Sequence, residues 1–400
     1  APPPMKWDRE VNILILGAGA AGCMAAITAK DAGESDILIV EKWAYPGGAA
    51  ALSSGTILAA GTVLQKDKGI SDSKERWFDD IMKLAKGGVN PEIVKVITDN
   101  ALDIFNFLYD AGMRWSNIDP LPGYTADRCY REASGGAKLM RVVLGEVKKR
   151  NVEILLETRA TKLYVDSCGG AYPQGEVLGA ECVGEDGKVL NIKARKGVLI
   201  ATGDFSSDPK YIESHFPQMK GVFSVGHPGN TGDGIKLAQK LGADITGYFP
   251  YGSPHCVEIS PGKALLWCRY DLLSRNGLIL VNKAGKRFCD EVTKGHYTPL
   301  LPEVQSQEDG FFACMFDEAI ANNIKADERF KTNFRGHEKL FIDGLKGDGF
   351  VIKKANTIPE LAKKLGINPD GLAKTITAYN EGVSKKKDEF NRDPKFLVRI

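Results

Sequence analysis

The segment Ile13-Leu14-Ile15-Leu16-Gly17-Ala18-Gly19-Ala20-Ala21-Gly22 constrains this chain more than any other. Four apolar residues ending at a glycine read as a strand buried on both faces, and the small residues from Cys23 to Lys30 read as the helix that follows. Ile37-Leu38-Ile39-Val40 repeats the strand signal and stops at Glu41, which completes a βαβ unit of roughly 30 residues. In such a unit Gly17 makes the turn, Gly19 lets backbone N–H groups approach a pyrophosphate, and Gly22 packs helix on strand. The helix N-terminus stabilises the phosphate charge. Glu41 stands where a carboxylate accepts hydrogen bonds from an adenosine ribose, and no nearby arginine pattern points to a 2′-phosphate. A second small-residue loop, Pro46-Gly47-Gly48 with Ser53-Ser54-Gly55-Thr56, reads either as the continuation of the same binding surface or as an ordinary glycine turn.

The chain has 400 residues, enough for two or three domains with a large core. Its 44 glycines are 11% of the total against about 7% in average usage, consistent with many turns and close backbone approaches. Lys and Arg number 53 and Asp and Glu 51, for a net charge of +2, so no strong field favours nucleic acid or an anionic membrane. No run of 18 apolar residues suggests a transmembrane helix. The eight cysteines show no C-x-x-C, haem-attachment or zinc spacing, which argues against a metal site, a haem or an iron–sulfur cluster in this chain. Scattered thiols favour a cytoplasmic setting, with a periplasmic one after signal removal as the alternative reading of Ala1-Pro2-Pro3-Pro4.

Asp72 and Glu75 have capping-box spacing for a helix through residue 84. Asn90-Pro91 starts another, with Val94, Ile97, Ala101, Ile104 and Leu108 as its buried stripe and Gly112 as its stop. A helix over 137–149 precedes strands at 152–156, 162–165, 177–183, 189–194 and 197–201. Asn230-Thr231-Gly232-Asp233-Gly234 introduces a helix closed by Gly242. A hairpin is expected over 277–288, turning at Lys283-Ala284-Gly285, and two short helices at 359–365 and 369–379.

The segments Ile15 to Gly22, Val40-Glu41-Lys42 with Pro46-Gly47-Gly48, Ala201-Thr202-Gly203-Asp204-Phe205, Gly229 to Gly234, Asn276 to Asn282 and Gly285-Lys286-Arg287-Phe288 together resemble the fumarate reductase/succinate dehydrogenase-like flavoproteins. That family includes flavocytochrome c fumarate reductases, urocanate reductases and 3-ketosteroid dehydrogenases. The resemblance spans essentially the whole chain. It implies an α/β fold, a Rossmann-like FAD-binding domain (1–245) with an inserted α+β capping domain (246–400), and two-electron chemistry on an activated C–C bond. It also implies that the chain ends before the family's closing glycine-rich segment. Carried over, Gly17, Ala18, Gly19, Ala20, Ala21 and Gly22 hold the pyrophosphate of FAD and Glu41, with Lys42 beside it, the ribose. Gly47, Gly48, Ala49, Ala50, Ser54, Gly55 and Thr56 lie on the flavin side, Ala160 on the adenine edge, and Thr202, Gly203, Asp204 and Asp233 supply further contacts. Ala49 and Ala50 stand where the family often has Asn and Ser or Thr, and Asp204 replaces a usual glycine.

In the capping segment the fumarate reductase pattern is interrupted. Asp271, Ser274 and Gly295 occupy the positions of that group's acid, its arginine and its proton-donating arginine, with Arg275 one residue off. His296 and Tyr297 instead lie near where the ketosteroid dehydrogenases carry a tyrosine, a phenol suited to polarising a ketone or taking a proton beside it. His255 matches a substrate-facing histidine of related enzymes, whereas His215, His227 and His337 read as ordinary loop residues. The resulting expectation is a flavin-dependent CH–CH oxidoreductase for a small molecule, served by a separate electron donor or acceptor. A 3-ketosteroid-like substrate leads, with reduction of an unsaturated acid and non-catalytic flavin binding as alternatives.

Overall fold

The computed structural model of the chain describes residues 1–85, 87–115, 117–121, 123–132, 134–166, 175–219, 224, 226–245, 256–260, 263–266, 270–294, 297–327, 330, 334, 338–346, 349 and 352–400. They form two compact units, Ala1–Ser214 with Gly226–Phe249, and His215–Val225 with Pro250–Ile400.

The first unit is built on a six-stranded sheet. Its centre is β1 (Arg9–Leu16), which leads through Gly17 into α1 (Ala20–Asp31) and returns as β2 (Ile37–Val40), parallel to β1 and paired Ile13 to Ile37 and Leu16 to Val40. Glu153–Leu155 extends the sheet beyond β2. On the other side of β1 lie Val189–Ile200, Glu176–Gly184 and Thr158–Asp166. Successive strand residues face opposite sides. Ile15, Ile37 and Ile39 therefore join Ala26, Ile27, Met140 and Val143 in one core, while Leu14, Leu16, Leu38 and Val40 join Leu163, Cys182 and Ile192 in another. This explains the uninterrupted apolar runs: the strands are covered on both faces. The expected strands 189–194 and 197–201 are one strand of 12 residues.

Two expectations fail locally. Asp72 does not cap the helix Lys74–Ala85; the Arg76 N–H donates to Ser73 Oγ instead. Asp72 is drawn to Arg128, whose guanidinium is fully buried and donates to Asp72 Oδ1 at 2.8 Å and Asp80 Oδ2 at 2.5 Å. A buried carboxylate answers a buried guanidinium more strongly than a backbone N–H that solvent or a serine can satisfy. In the helix Pro91–Asp110, Asn90 caps as expected, but the buried residues are Val94, Thr98, Phe105 and Leu108, while Ile97 and Ile104 are exposed. Phe105 takes the inner face because it stacks on Trp115 and packs at a tilt against Tyr130.

The second unit has Ile279–Val281 at its centre, with Ile279 and Val281 in one apolar cluster and Leu278 and Leu280 in another. The expected hairpin is reduced to a turn, with Gly285 at φ +72° and a single bridge from Val281 to Arg287; the strand's ladder partner is Ala313–Met315. Glu291, fully buried, accepts from the Leu280 N–H, Arg287 and Arg392, which ties that strand to Arg392. The terminal helices run Ile358–Leu365, closed by left-handed Gly366, and Pro369–Ser384. Among the described residues no helix is long and apolar enough to cross a membrane.

Candidate functional site

A cavity of about 380 Å³ opens at the carboxyl ends of β1 and β2, within the first unit. This is the crevice where open α/β sheets bind ligands, and the volume lies in the usual range for a small-molecule site. The three motif glycines shape it differently. Gly17 has φ +109°, and a Cβ there would sit 2.3 Å from the Ala201 carbonyl oxygen. A Cβ on Gly22 would sit 2.0 Å from the Gly17 oxygen, so helix and strand could not close. Gly19, the N-cap of α1, has extended backbone (φ −76°, ψ −173°), and a Cβ there would meet no atom within 4 Å. Two glycines are thus required by the protein's own packing, and the third keeps space clear in front of the helix N-terminus. A dinucleotide pyrophosphate fits that cleared space, because unpaired N–H groups of the first helical turn face it.

Glu41 is 8% exposed. Its Oε2 accepts from the Ala18 N–H at 2.9 Å and its Oε1 from the Trp43 N–H at 3.0 Å. These bonds fix the carboxylate at the end of β2, and each oxygen retains a lone pair for a ribose hydroxyl. Lys42 donates to Asp233 Oδ2 at 2.9 Å and Thr231 Oγ1 at 3.0 Å, while Arg159 donates to Asp233 Oδ1 at 2.8 Å. Burial pushes the Asp233 carboxyl up, but the bonds from Lys42, Arg159 and Thr231 together hold it below the usual carboxylate range.

Gly17, Gly19, Ala20, Ala21, Glu41, Lys42, Gly48, Ala49, Ala50, Ala160, Thr202, Gly203 and Asp233 all line the cavity. Ala18 and Gly22 support it from behind, Ala18 through its bond to Glu41. Gly47 (φ +127°) donates its N–H to the Ala18 carbonyl, which brings Gly48 against Gly19. Ser54 and Thr56 share a hydroxyl hydrogen bond at 3.0 Å, and Gly55 closes against the backbone of Gly135; none of the three lines the cavity. Asp204 is exposed, accepts from the Ser206 N–H in a local turn and also lies outside the lining.

Several lining residues were not expected, among them Trp43, Arg159, Asn230 and His227. His227 is 6% exposed and packs edge-on against Trp43, with ring centroids 5.1 Å apart. Its partner is 184 residues away in sequence, so no local spacing could reveal the pair.

Of the cap candidates, His255 and His296 lie outside the described residues. Asp271 falls in the helix Tyr270–Ser274 and Tyr297 opens the helix Tyr297–Gln305, but their side chains are likewise outside them. Arg275 is half-buried, its guanidinium 4.9 Å from the centre of the Phe396 ring and its Nε without a hydrogen-bond partner among the described residues.

Comparison with known proteins agrees with this geometry. The chain is 28% identical over 388 residues to NADH:fumarate oxidoreductase of Klebsiella pneumoniae (strain 342), covering 95% of this chain and 38% of that protein. It is 29% identical over 386 residues to the fumarate reductase (cytochrome) of Shewanella frigidimarina, covering 96% and 62%. The chain therefore spans between about two-fifths and three-fifths of these relatives' lengths. Among solved structures, the open conformation of a flavocytochrome c3 fumarate reductase superposes with a TM-score of 0.78 at 25% identity, covering 98% of this chain and 65% of that one. A 3-ketosteroid-delta4-(5alpha)-dehydrogenase from Rhodococcus jostii RHA1 shares the fold at a TM-score of 0.74 and 24% identity, covering 100% and 83%. The family model for the FAD binding domain matches residues 12–396. Nearly the full chain is thus accounted for by one family: it belongs to the FAD binding domain family, with FAD as its cofactor.

Proposed function

We propose that this protein is an FAD-dependent oxidoreductase that adds or removes two hydrogens across a carbon–carbon bond conjugated to a carbonyl or carboxyl group. The observation that carries the reading is the cleared space at Gly19, in a cavity whose rim is set by Glu41 and Gly48. The flavin, when bound, supplies hydride exchange with one substrate carbon. The chain's own part is to hold the cofactor and to handle the proton. In this reading Gly17 to Gly22 take the pyrophosphate, Glu41 the ribose and Ala160 the adenine edge. Tyr297 is the proton-handling group in this reading, and His296, His255, Arg275 and Asp271 are the further catalytic candidates.

Two substrate classes follow from different observations. Gly295 in place of a proton-donating arginine, followed by His296 and Tyr297, favours a conjugated ketone of the 3-ketosteroid type. The names of the curated relatives favour an unsaturated acid such as fumarate. Anaerobic spectroscopy separates them. A steroid that bleaches the oxidised flavin supports the first class. Reoxidation of the dithionite-reduced protein by fumarate, urocanate or acrylate supports the second. A flavin that responds to neither reduces the protein to a binder and refutes the enzymatic reading. Within either class, Tyr297→Phe is expected to retain flavin and slow turnover roughly 10²–10⁴-fold, as removal of an acid–base group does.

A further inference from the structure

The loop from His227 to Asn230 places two polar side chains in the cavity wall and leaves both unanswered. Each residue is 6% exposed, and each lines the cavity. Nδ1 of His227 accepts the Gly229 N–H at 3.0 Å. A ring nitrogen that accepts carries no proton, so the neutral imidazole holds its hydrogen on Nε2. Nε2 makes no hydrogen bond to any described residue, and neither does the side-chain amide of Asn230. Buried polar groups are normally satisfied, and one that borders a cavity without a protein partner is left to be satisfied by the occupant.

The wall is specific in position. The His227 ring is held by the edge-on contact to Trp43, with an interplanar angle of 81°. Trp43 lies two residues beyond Glu41, at the end of β2, which is the adenosine side of a dinucleotide site. The loop reaches this contact only because residue 229 is glycine: a Cβ there would sit 2.3 Å from Trp43 Nε1 and 2.8 Å from His227 Nδ1. Burial pushes the His227 imidazole below its usual value, with Glu41 raising it and Lys42 lowering it, which keeps the ring in the neutral form that donates from Nε2.

We propose that His227 is a nucleotide-recognising residue whose Nε2–H donates to the adenosine diphosphate half of FAD, with Asn230 as the second polar group of the same wall. The assignment rests on the FAD reading above and deepens it.

The test uses the flavin-free full chain, titrated with FAD by flavin fluorescence, with FMN in the same way, and with ADP as competitor. His227→Asn keeps an oxygen where Nδ1 accepts from Gly229 but has nothing at the Nε2 position. His227→Gln places an N–H near Nε2. Loss of one such hydrogen bond is expected to weaken FAD and ADP binding about 10-fold in His227→Asn. FMN binding and the melting temperature stay at the wild-type value, and His227→Gln recovers most of the loss. Wild-type affinity for FAD and ADP in His227→Asn overturns the assignment while leaving the FAD reading intact. A wild-type protein that binds neither FAD nor ADP overturns both. Should His227→Asn melt below the wild type, Asn230→Ala serves as the second variant, and unchanged ADP competition there overturns the wall.

Discussion

Replacing Gly19 by valine separates cofactor binding from folding, because the three motif glycines have different neighbours. The backbone at Gly19 is extended, a conformation any residue adopts, and the added Cβ has no protein atom within 4 Å. Its N-cap position argues for a penalty of about 1 kcal/mol, since valine caps poorly. The smaller unfolded-state entropy of a non-glycine residue offsets about 0.4–1 kcal/mol of this. The net change is therefore within about 1 kcal/mol, a shift of about 2–4 °C in melting temperature for a unit of this size. FAD binding responds very differently. The valine side chain occupies the space in which backbone N–H groups would meet a phosphate, and each such bond to a charged group contributes about 1.5–3 kcal/mol. Losing two weakens binding by about 3–6 kcal/mol, or roughly 10²–10⁴-fold. Flavin fluorescence titration of the flavin-free protein measures the affinity, and thermal circular dichroism measures the fold. Gly22→Ala is the control, because its Cβ would lie 2.0 Å from the Gly17 oxygen and the variant should lose stability and flavin together. A Gly19→Val protein that binds FAD with wild-type affinity would refute the placement of the pyrophosphate.

Two further outcomes concern the ion pairs inside each unit. Arg128→Ala leaves Asp72 and Asp80 buried without their cation, which is expected to destabilise the first unit by about 3–5 kcal/mol in urea unfolding; adding Asp72→Asn and Asp80→Asn to the same variant should recover part of that loss. Asp80, Asp233 and Asp388 are each pushed up by burial but held below the usual aspartate value of 3.8 by hydrogen bonds and ion pairs, Asp80 through the Thr125 N–H and then Arg128, and Asp388 chiefly through Arg287. A depressed native pKa gives stability that is complete above about pH 4 and is lost as pH falls through the native value. Melting temperature should accordingly fall steeply below about pH 4, and Asp388→Asn should melt lower at pH 7 with a shallower acid limb.

What was legible in the sequence was what is local. β1, α1 and β2 occupy 32 consecutive residues, Arg9 to Val40, and the packing role of Gly22, against the Gly17 oxygen, is met inside that span. Where a residue's partner lies far along the chain, local spacing misleads. Asp72 has the chemistry of a cap, but Arg128 is 56 residues away and binds it through two nitrogens. The helix Pro91–Asp110 carries apolar residues on more than one face, so periodicity alone could not choose between the stripe through Ile97 and Ile104 and the one through Phe105. Ile279–Val281 pairs with Ala313–Met315 rather than with the chain just after its own turn, and nothing in the turn sequence specifies that. His227 belongs to the same class of miss, since its wall is made with Trp43.

The charges around the cavity also bear on how it attracts its ligand. Lys42 and Arg159 would draw a diphosphate if they were free, and a lysine directly after Glu41 could pass for a 2′-phosphate site. Both instead converge on Asp233, so that the ends of β2, of Thr158–Asp166 and of the loop before the helix Asp233–Gln239 are tied at one carboxylate. Counting Glu41, the two cations are matched by two anions, and the side chains contribute almost no net field. The attraction for a dinucleotide then falls to the N-terminus of α1 behind the open face of Gly19, and discrimination to neutral donors placed at short range. A site of this kind holds its ligand through geometry more than through charge, so its FAD affinity should depend only weakly on salt, and a steep loss of FAD between 50 mM and 500 mM salt would contradict this account of the wall.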